Sequence, residues 1–264
     1  MLIEDGKAPA LAWDPARGEF RVEGKAIAPR AAFLRADVFG PMGSRRRLAG
    51  YRAHAWYEAI ASWLLARPDI RLLNRASLRW HTAKPHVLAL ARDCGLPVPR
   101  TRVTNDLRGL ARARGEAWIV KPIAGGDHTR TLTDALVQAR GADPGFSGPA
   151  IVQKRLVPPE LRVFCVAGRH LGFEVISPEL DYRVDRNPGI VPCAVPAKVA
   201  GGLCRLMARL GMDWGAADFK ADPRTGALKF LEINSNPMFW GFDRAGRGSV
   251  RTALLDALCG PNRR

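Results

Sequence analysis

Three oxygen-bearing side chains fall on two apolar segments near the end of the chain. Asp218 lies in AADFKA, and Glu232 and Asn234 lie in ALKFLEIN, with the turn-like DPRTG between them. The segments predict a hairpin that brings Asp218 beside Glu232, and the two-residue spacing puts Glu232 and Asn234 on one face. Oxygen ligands of this kind suit Mg²⁺, which takes one or two carboxylates together with water and phosphate oxygens. The alternative is that Glu232 and Asn234 are only solvated on the outer face of an edge strand.

Two of the eight lysines occupy informative positions. Lys121 closes the apolar segment AWIVK and precedes Gly125 and Gly126. A lysine ahead of a glycine-bearing loop can bind phosphate, because its ammonium and the backbone N–H groups converge on one anion. Lys84 stands at the start of a predicted helix, where the helix dipole disfavours a positive charge, and this indicates another role. The alternative for Lys121 is a solvated lysine at a strand end.

Two acid and arginine pairs lie between these features. Glu160 and Arg162 are two residues apart on a predicted strand, and Asp181 and Arg183 are two apart in DYR, so each pair can share a face. Arginine contacts phosphate or carboxylate at two points. Such pairs are also common as structural ion pairs, so their meaning depends on the metal and lysine features.

The elements that must hold these side chains mix helices and strands irregularly. Apolar residues at three- and four-residue steps predict helices over 51–66, 84–94 and 195–210, the first stopped by Pro68 and the second by Gly95. The remaining apolar segments predict strands: ALAWD, EFRVEGKAI, RTRVTN, AWIVKP, AIVQKRL, LRVFCVAG and HLGFEVIS. Hairpins and helices that alternate without regular βαβ spacing favour an α+β fold.

Composition excludes some functional classes. The chain has 264 residues and a net charge of +16, but 33 of its 41 basic residues are arginines, most of them scattered, which is typical of a compositional bias and disfavours a nucleic-acid surface. Its five cysteines form no CxxC pair, which predicts reduced thiols in a cytoplasmic protein. The sequence contains no secretory signal and no run of 18 apolar residues, so no membrane partner is expected.

The order of the motifs resembles a known superfamily. Over about 81–243, seven features occur in the order typical of ATP-grasp ligases: Lys84, GLPVPRT, WIVKPIAGG, IVQKRL, ELRVF, DFKA and LEINSNP. Within that superfamily they are similar to the peptide-tailoring ligases and to the branch that adds glutamate to a ribosomal protein. LLNR, PVPRTRVTN and the combination of ELR with DYR look most like the graspetide synthetases, which are microviridin-type peptide ligases.

The resemblance implies a domain organisation. Residues 81–264 would form an ATP-grasp domain, with a central subdomain and hinge over 81–156 and a metal-binding subdomain over 157–264. Residues 1–80 would form a shortened α/β domain like the one that precedes ATP-grasp, because the usual first strand and helix of that domain are missing. This departure leaves binding of a leader peptide in doubt.

The resemblance also implies roles for residues. ATP would lie between the two subdomains, with its phosphates on Lys84 and Lys121. Asp218, Glu232 and Asn234 would hold one or two Mg²⁺ ions. Arg162 and Arg183 would bind the γ-phosphate, the acyl phosphate and the acceptor carboxylate, and Lys220 would assist. The adenine hinge would consist of four consecutive residues: Gln153, Lys154, Arg155 and Leu156.

The implied function is an ATP- and Mg²⁺-dependent ligase that activates a carboxylate as an acyl phosphate, releases ADP, and forms an amide or ester on an acidic, ribosomally made peptide. One alternative is a ligase that joins an amino acid to a small molecule or to a protein terminus. The alternative of a different class is a basic nucleic-acid-binding protein with a relic grasp fold. The acceptor, which is an acidic peptide or a small carboxylate, and formation of a homodimer stay open.

Overall fold

The computed structural model describes residues 9–16, 18–35, 47–78, 83–105, 117–123, 129–135, 149–185 and 187–260, except for the side chains of residues 47–50 and 52. The predicted glycine-bearing loop, with Gly125 and Gly126, lies outside these ranges. The chain divides into two compact units, one of residues 1–76 with 254–264 and one of residues 77–253. No helix within the described ranges is both long enough and apolar enough to span a membrane.

The smaller unit combines short strands with one long helix. Strands β1 (Leu11–Asp14), β2 (Glu19–Val22) and β3 (Lys25–Ala26) form an antiparallel sheet, and β4 (Ala31–Ala32) pairs in parallel with β5 (Arg71–Leu72). Helix α1 spans Arg47–Leu65 and begins four residues before the predicted start. On its buried side, Trp63 stacks on Phe20 of β2, with ring centroids 4.2 Å apart. The guanidinium of Arg75 donates to the carbonyl of Leu64 at the end of the helix.

Within the described ranges, the larger unit contains two sheets. The four-stranded sheet has the order β6-β9-β7-β8, and the five-stranded sheet has the order β12-β11-β10-β13-β14, with antiparallel pairing throughout. The strands of the first sheet are β6 (Thr101–Thr104), β7 (Trp118–Pro122), β8 (Arg130–Thr131) and β9 (Ala150–Lys154). The strands of the second are β10 (Val157–Val166), β11 (Arg169–Ile176), β12 (Gly189–Cys193), β13 (Trp214–Ala221) and β14 (Leu228–Asn234).

Two helices cover one face of the five-stranded sheet. Helix α2 spans Lys84–Asp93 and helix α3 spans Ala197–Leu210, close to the predicted bounds, and α3 ends at Gly211 in the left-handed conformation. The guanidinium of Arg205 on α3 donates to the Cys94 carbonyl at the end of α2. Two further helices, α4 (Trp240–Ala245) and α5 (Ser249–Cys259), follow β14.

Alternate residues of these strands face opposite environments. We call the side packed on α2 and α3 the apolar face, and its buried strand residues are Leu161, Val163, Cys165, Ala217, Phe219, Phe230 and Ile233. We call the other side the ionic face, and its polar strand residues are Glu160, Arg162, Asp218, Lys220, Glu232 and Asn234. The aromatic cluster of Phe164, Phe173, Trp214 and Phe242 occupies the rest of the ionic face. The mixed α+β architecture agrees with the prediction.

Candidate active site

The predicted hairpin is formed, and it aligns the oxygen-bearing residues. Asp218 on β13 is directly opposite Glu232 on β14, and Asn234 donates from Nδ2 to Glu232 Oε1 over 3.2 Å. Between Asp218 and Phe219, β14 advances two residues while β13 advances one. This irregularity lets Phe230 lie on the apolar face while Glu232, two residues later, lies on the ionic face. The sequence pattern alone does not show the irregularity.

Asp218 forms a buried ion pair. Arg162 Nη1 donates to both of its carboxylate oxygens, over 2.8 and 3.0 Å, and the same nitrogen lies 2.7 Å from the hydroxyl of Tyr182. The side chains of Arg162 and Asp218 are 7% and 9% exposed, so little solvent screens the contact. The Arg162 guanidinium also lies over the Phe242 ring at 5.2 Å. Its Nε is buried and has no hydrogen-bond partner among the residues that the structure describes.

The two predicted phosphate lysines have different partners. Lys84, at the start of α2, forms an ion pair with Glu232 Oε2 at 3.1 Å. Lys121, on β7 of the other sheet, donates to Gln153 Oε1 over 3.1 Å. Burial lowers the pKa of Lys121 and nearby Lys84 lowers it further, while Glu232 opposes the change. Glu232 thus pairs with Lys84 and also attracts the Lys121 ammonium electrostatically.

Lys220 and Glu160 form a second buried pair on the ionic face. They are opposite each other on β13 and β10, their charged atoms are 2.9 Å apart, and Lys220 also donates to the Leu180 carbonyl over 2.9 Å. The sequence predicted that Glu160 and Arg162 can share one face, and both lie on the ionic face of β10. Their ion-pair partners, however, are across the strands, because the register sets Glu160 opposite Lys220 and Arg162 opposite Asp218.

Asp181 and Arg183 form the predicted local pair. Arg183 Nε donates to Asp181 Oδ1 over 2.8 Å, and Nη2 donates to Oδ2 over 2.5 Å. Burial alone would raise the pKa of Asp181, but Arg183 and the backbone N–H of Thr129 outweigh it and hold the pKa at about 2. The aspartate is buried whereas the arginine side chain is 52% exposed, so its outer edge can contact a substrate.

The pKa values of Asp218 and Glu232, two carboxylates of the ionic face, are shifted in opposite directions. Burial raises the pKa of Asp218 to about 7, in spite of Arg162, and the neighbouring Glu232 adds to the rise. Burial would also raise the pKa of Glu232, but Lys84 and Lys121 outweigh it and hold the pKa below its ordinary value. Two carboxylates in direct register therefore repel each other, and a divalent cation would relieve that repulsion.

The donor chemistry fits Mg²⁺ completed by a nucleotide. Two carboxylates and an amide offer hard oxygen ligands, and Mg²⁺ in proteins takes few protein ligands and leaves the rest to water and phosphates. Among the described residues, no three His, Cys, Asp or Glu side chains gather as a metal cluster. Two carboxylates and one amide supply only part of the coordination of Mg²⁺, so water and phosphate oxygens would complete it.

The predicted hinge residues lie at the end of β9 and just after it, and two of their backbone N–H groups are already hydrogen-bonded within the protein. The N–H groups of Lys154 and Arg155 donate to the carbonyls of Arg100 and Ala117, over 2.9 and 2.8 Å. Leu156 is buried, Arg155 is exposed, and the side chain of Gln153 is turned into the sheet toward Lys121. Adenine recognition at this segment would therefore use backbone groups other than those two N–H groups.

Sequence reasoning missed Tyr182 and the side chain of Gln153. Tyr182 joins the site because its hydroxyl contacts Arg162, and burial raises its pKa. It lies between Asp181 and Arg183, so the DYR motif contained the signal. Gln153 interrupts an apolar strand, and a polar residue in such a run needs a hydrogen-bond partner inside the protein.

Solved structures with the same fold are known, although no protein-family model and no curated protein matches the sequence. The ATP-grasp ligase PsnB, solved with a minimal precursor, is 26% identical over 96% of this chain and 87% of its own, with a TM-score of 0.75. The macrocyclase MdnC from Microcystis aeruginosa MRC, bound with its precursor peptide, is 18% identical over 98% and 85%, with a TM-score of 0.67. The VanG D-Ala:D-Ser ligase from Enterococcus faecalis is 16% identical over 96% and 78%, with a TM-score of 0.59.

These likenesses agree with the motifs. The match to PsnB extends over nearly the whole chain, and the match to a D-Ala:D-Ser ligase shows that the fold is shared with ligases of other substrates. The chain therefore has the ATP-grasp ligase fold, and its resemblance to peptide-modifying ATP-grasp ligases is confirmed.

Proposed function

We propose that this protein is an ATP- and Mg²⁺-dependent ligase that joins a carboxylate to an amine or hydroxyl on an acidic, ribosomally made peptide. The observation that carries the proposal is the ionic face. Asp218 and Glu232 stand in direct register there, and Lys84, Arg162 and Lys220 each pair with a carboxylate of this face. Such a surface can bind and neutralise phosphate, and the polar strand residues that the structure describes on it include no serine or cysteine.

The similar structures support the choice of ligands. PsnB has been solved with a minimal precursor, Mg and ADP, at 26% identity and a TM-score of 0.72. We assign the phosphates of ATP to Lys84 and Lys121, and Mg²⁺ to Asp218, Glu232 and Asn234. When bound, Mg²⁺ would neutralise charge on the phosphate oxygens.

The first chemical step joins the acceptor carboxylate to the γ-phosphorus. A carboxylate oxygen attacks phosphorus, the bond to the bridging oxygen breaks, and ADP leaves with the electron pair. The Arg162 guanidinium pairs with Asp218, and Lys220 lies two residues from Asp218 on β13, so we assign both cations to neutralising the acyl phosphate. Positioning and charge neutralisation supply most of the acceleration in phosphoryl transfer.

The second step forms the new bond. An amine or hydroxyl attacks the acyl carbon, the carbon–oxygen bond to phosphate breaks, and phosphate leaves with that oxygen and the electron pair. The proton of the nucleophile passes to phosphate or to water. Arg183 has an exposed side chain and is held by Asp181, so we assign it to the acceptor carboxylate.

The domain division is part of the proposal. We assign an ATP-grasp domain to residues 81–264, with a central subdomain and hinge over 81–156 and a metal-binding subdomain over 157–264. We assign a shortened preceding domain to 1–80. The two sheets of the larger unit are consistent with two subdomains.

Mass spectrometry tests the proposed function. The protein, Mg²⁺ and ATP are incubated with peptides encoded by neighbouring genes, and the expected product has lost one water for each bond formed. A product with an added amino acid would instead favour the small-molecule or protein-terminus ligase. Steeply salt-dependent binding to DNA or RNA, without thermal stabilisation by Mg²⁺ and ATP, would contradict both.

A further inference from the structure

A line of polar side chains crosses the four-stranded sheet beneath Lys121. Gln153 lies in β9, one of the two inner strands of this sheet, and is 1% exposed. Thr101 on β6 is its direct partner, and on β7 its partner is Ile119, two residues before Lys121. Because residues two apart on a strand share a face, Thr101, Gln153 and Lys121 lie on the same face of three adjacent strands.

Each hydrogen bond in this line fixes the direction of the next. The hydroxyl of Thr101 donates to the carbonyl of Pro99 over 2.9 Å, so its oxygen is left to accept. Gln153 donates from Nε2 to that oxygen over 3.0 Å, which turns Oε1 toward Lys121. Lys121 then donates from Nζ to Oε1 over 3.1 Å. If the Gln153 amide turned over, two donors would face each other at Lys121 and two acceptors at Thr101.

We propose that Gln153 and Thr101 are positioning residues for Lys121, which hold its ammonium where it meets the phosphates of a nucleotide. The proposal rests on the phosphate role of Lys121 in the proposed function. It also gives Gln153 a different role from the one suggested by its place in the hinge. Its side chain acts on the lysine, while any contact with adenine is left to the backbone of the segment.

The physical effect is pre-organisation of a flexible cation. Lysine carries its charge on a four-carbon stem, and ordering that stem costs conformational entropy. With one hydrogen bond already fixed by the sheet, Lys121 has its remaining two N–H donors for phosphate oxygens. A hydrogen bond to a charged group contributes enough to change affinity roughly tenfold or more.

The first measurement is the affinity of the full chain for Mg²⁺ with a non-hydrolysable ATP analogue, by calorimetry. We expect Gln153→Leu to weaken binding about tenfold, and Thr101→Val to weaken it less, about threefold, because the amide is then free to turn. Thr101→Ser keeps the hydroxyl and should bind as the natural protein does. The double variant Gln153→Leu with Thr101→Val should be no weaker than Gln153→Leu alone, because the threonine acts only through the glutamine.

The second measurement needs no nucleotide. The reaction of Lys121 with an amine-specific reagent is followed by peptide mass spectrometry, with the exposed Lys198 on α3 as an internal control. We expect Lys121 to react several-fold faster in Gln153→Leu and in Thr101→Val, and at the natural rate in Thr101→Ser, whereas Lys198 stays constant. Thermal melting of each variant identifies a folding defect, and the two threonine variants keep the test valid if Gln153→Leu does not fold.

The two measurements separate the inference from the proposed function. If the natural protein binds no Mg²⁺–nucleotide but the labelling rates follow the expected order, the proposed function fails and the positioning role stands. Unchanged labelling in both Gln153→Leu and Thr101→Val, or equal effects of Thr101→Ser and Thr101→Val, would overturn the positioning role. If the affinity losses of Gln153→Leu and Thr101→Val added up in the double variant, the idea that Thr101 acts on Lys121 only through Gln153 would be overturned.

Discussion

The two faces of the five-stranded sheet use the same strands in opposite ways. On β13, Phe219 is fully buried between α2, α3 and Phe230, while its neighbours Asp218 and Lys220 form ion pairs on the other side. The apolar face gains stability from burial, which needs no exact partner. The ionic face holds buried charges whose desolvation offsets much of their attraction. The apolar face therefore stabilises the fold, and we assign the proposed chemistry to the ionic face.

The largest expected effect is on activity alone, and it follows substitution of Glu232 on the ionic face. Glu232→Gln removes one charge from the proposed metal site and should lower ATP turnover about a thousandfold, which is typical for loss of an electrostatic contact in a transition state. Its melting temperature should stay within a few degrees of the natural value. Steady-state kinetics and thermal melting check both.

A matched variant is available on the same sheet. Glu174 on β11 is opposite Leu161 and points to the other side from Arg162. Glu174→Gln should therefore keep its turnover. Normal turnover in Glu232→Gln would remove the metal assignment.

Substitution of Phe219, the neighbour of Asp218 on the apolar face, should have the opposite effect: a loss of stability without a loss of turnover. Phe219→Ala leaves a cavity on the apolar face and should destabilise the protein by about 3–5 kcal/mol. Turnover below the melting temperature should stay near the natural value, because the ionic face is untouched. Denaturant unfolding followed by assays at low temperature checks this, and a turnover loss as large as that of Glu232→Gln would contradict the separation of faces.

A smaller effect is expected at the edge of the ionic face. Arg183→Ala should raise the KM for an acidic peptide about tenfold and leave the KM for ATP unchanged, since the lost contact is a charge-assisted one. Arg209→Ala, on the exposed side of α3, removes the same charge from the surface as a control. Equal losses for peptide and ATP in Arg183→Ala would assign Arg183 to the nucleotide.

The smallest effect concerns pH. The pKa of Asp181 is about 2 in the folded protein and 3.8 for an ordinary aspartate, so its stabilisation is complete above the ordinary value and is lost as the pH falls toward 2. Asp181→Asn should therefore melt at a lower temperature than the natural protein at neutral pH, and the gap should narrow below pH 4. Melting curves over this range check it, and a constant gap would show that the charge of Asp181 does not stabilise the fold.

Local patterns predicted most of the elements that form the site. The spacing of Asp218 and Glu232 around DPRTG predicted the hairpin, but their direct pairing also depends on the irregularity between Asp218 and Phe219, which the sequence pattern did not show. The ion-pair partners of Arg162 and Glu160 could not be predicted, since they depend on the register between β10 and β13, which are far apart in sequence. The side-chain role of Gln153 was missed for the same reason, because Thr101 and Lys121 belong to other strands.

The most direct test of the ligase mechanism follows one oxygen atom. An acidic peptide whose carboxylates carry heavy oxygen is incubated with the protein, Mg²⁺ and ATP, and the phosphate and nucleotide products are weighed by mass spectrometry. The acyl-phosphate mechanism predicts ADP without label and one heavy oxygen in the phosphate for each amide or ester formed. AMP as the nucleotide product, or phosphate without label, would contradict it.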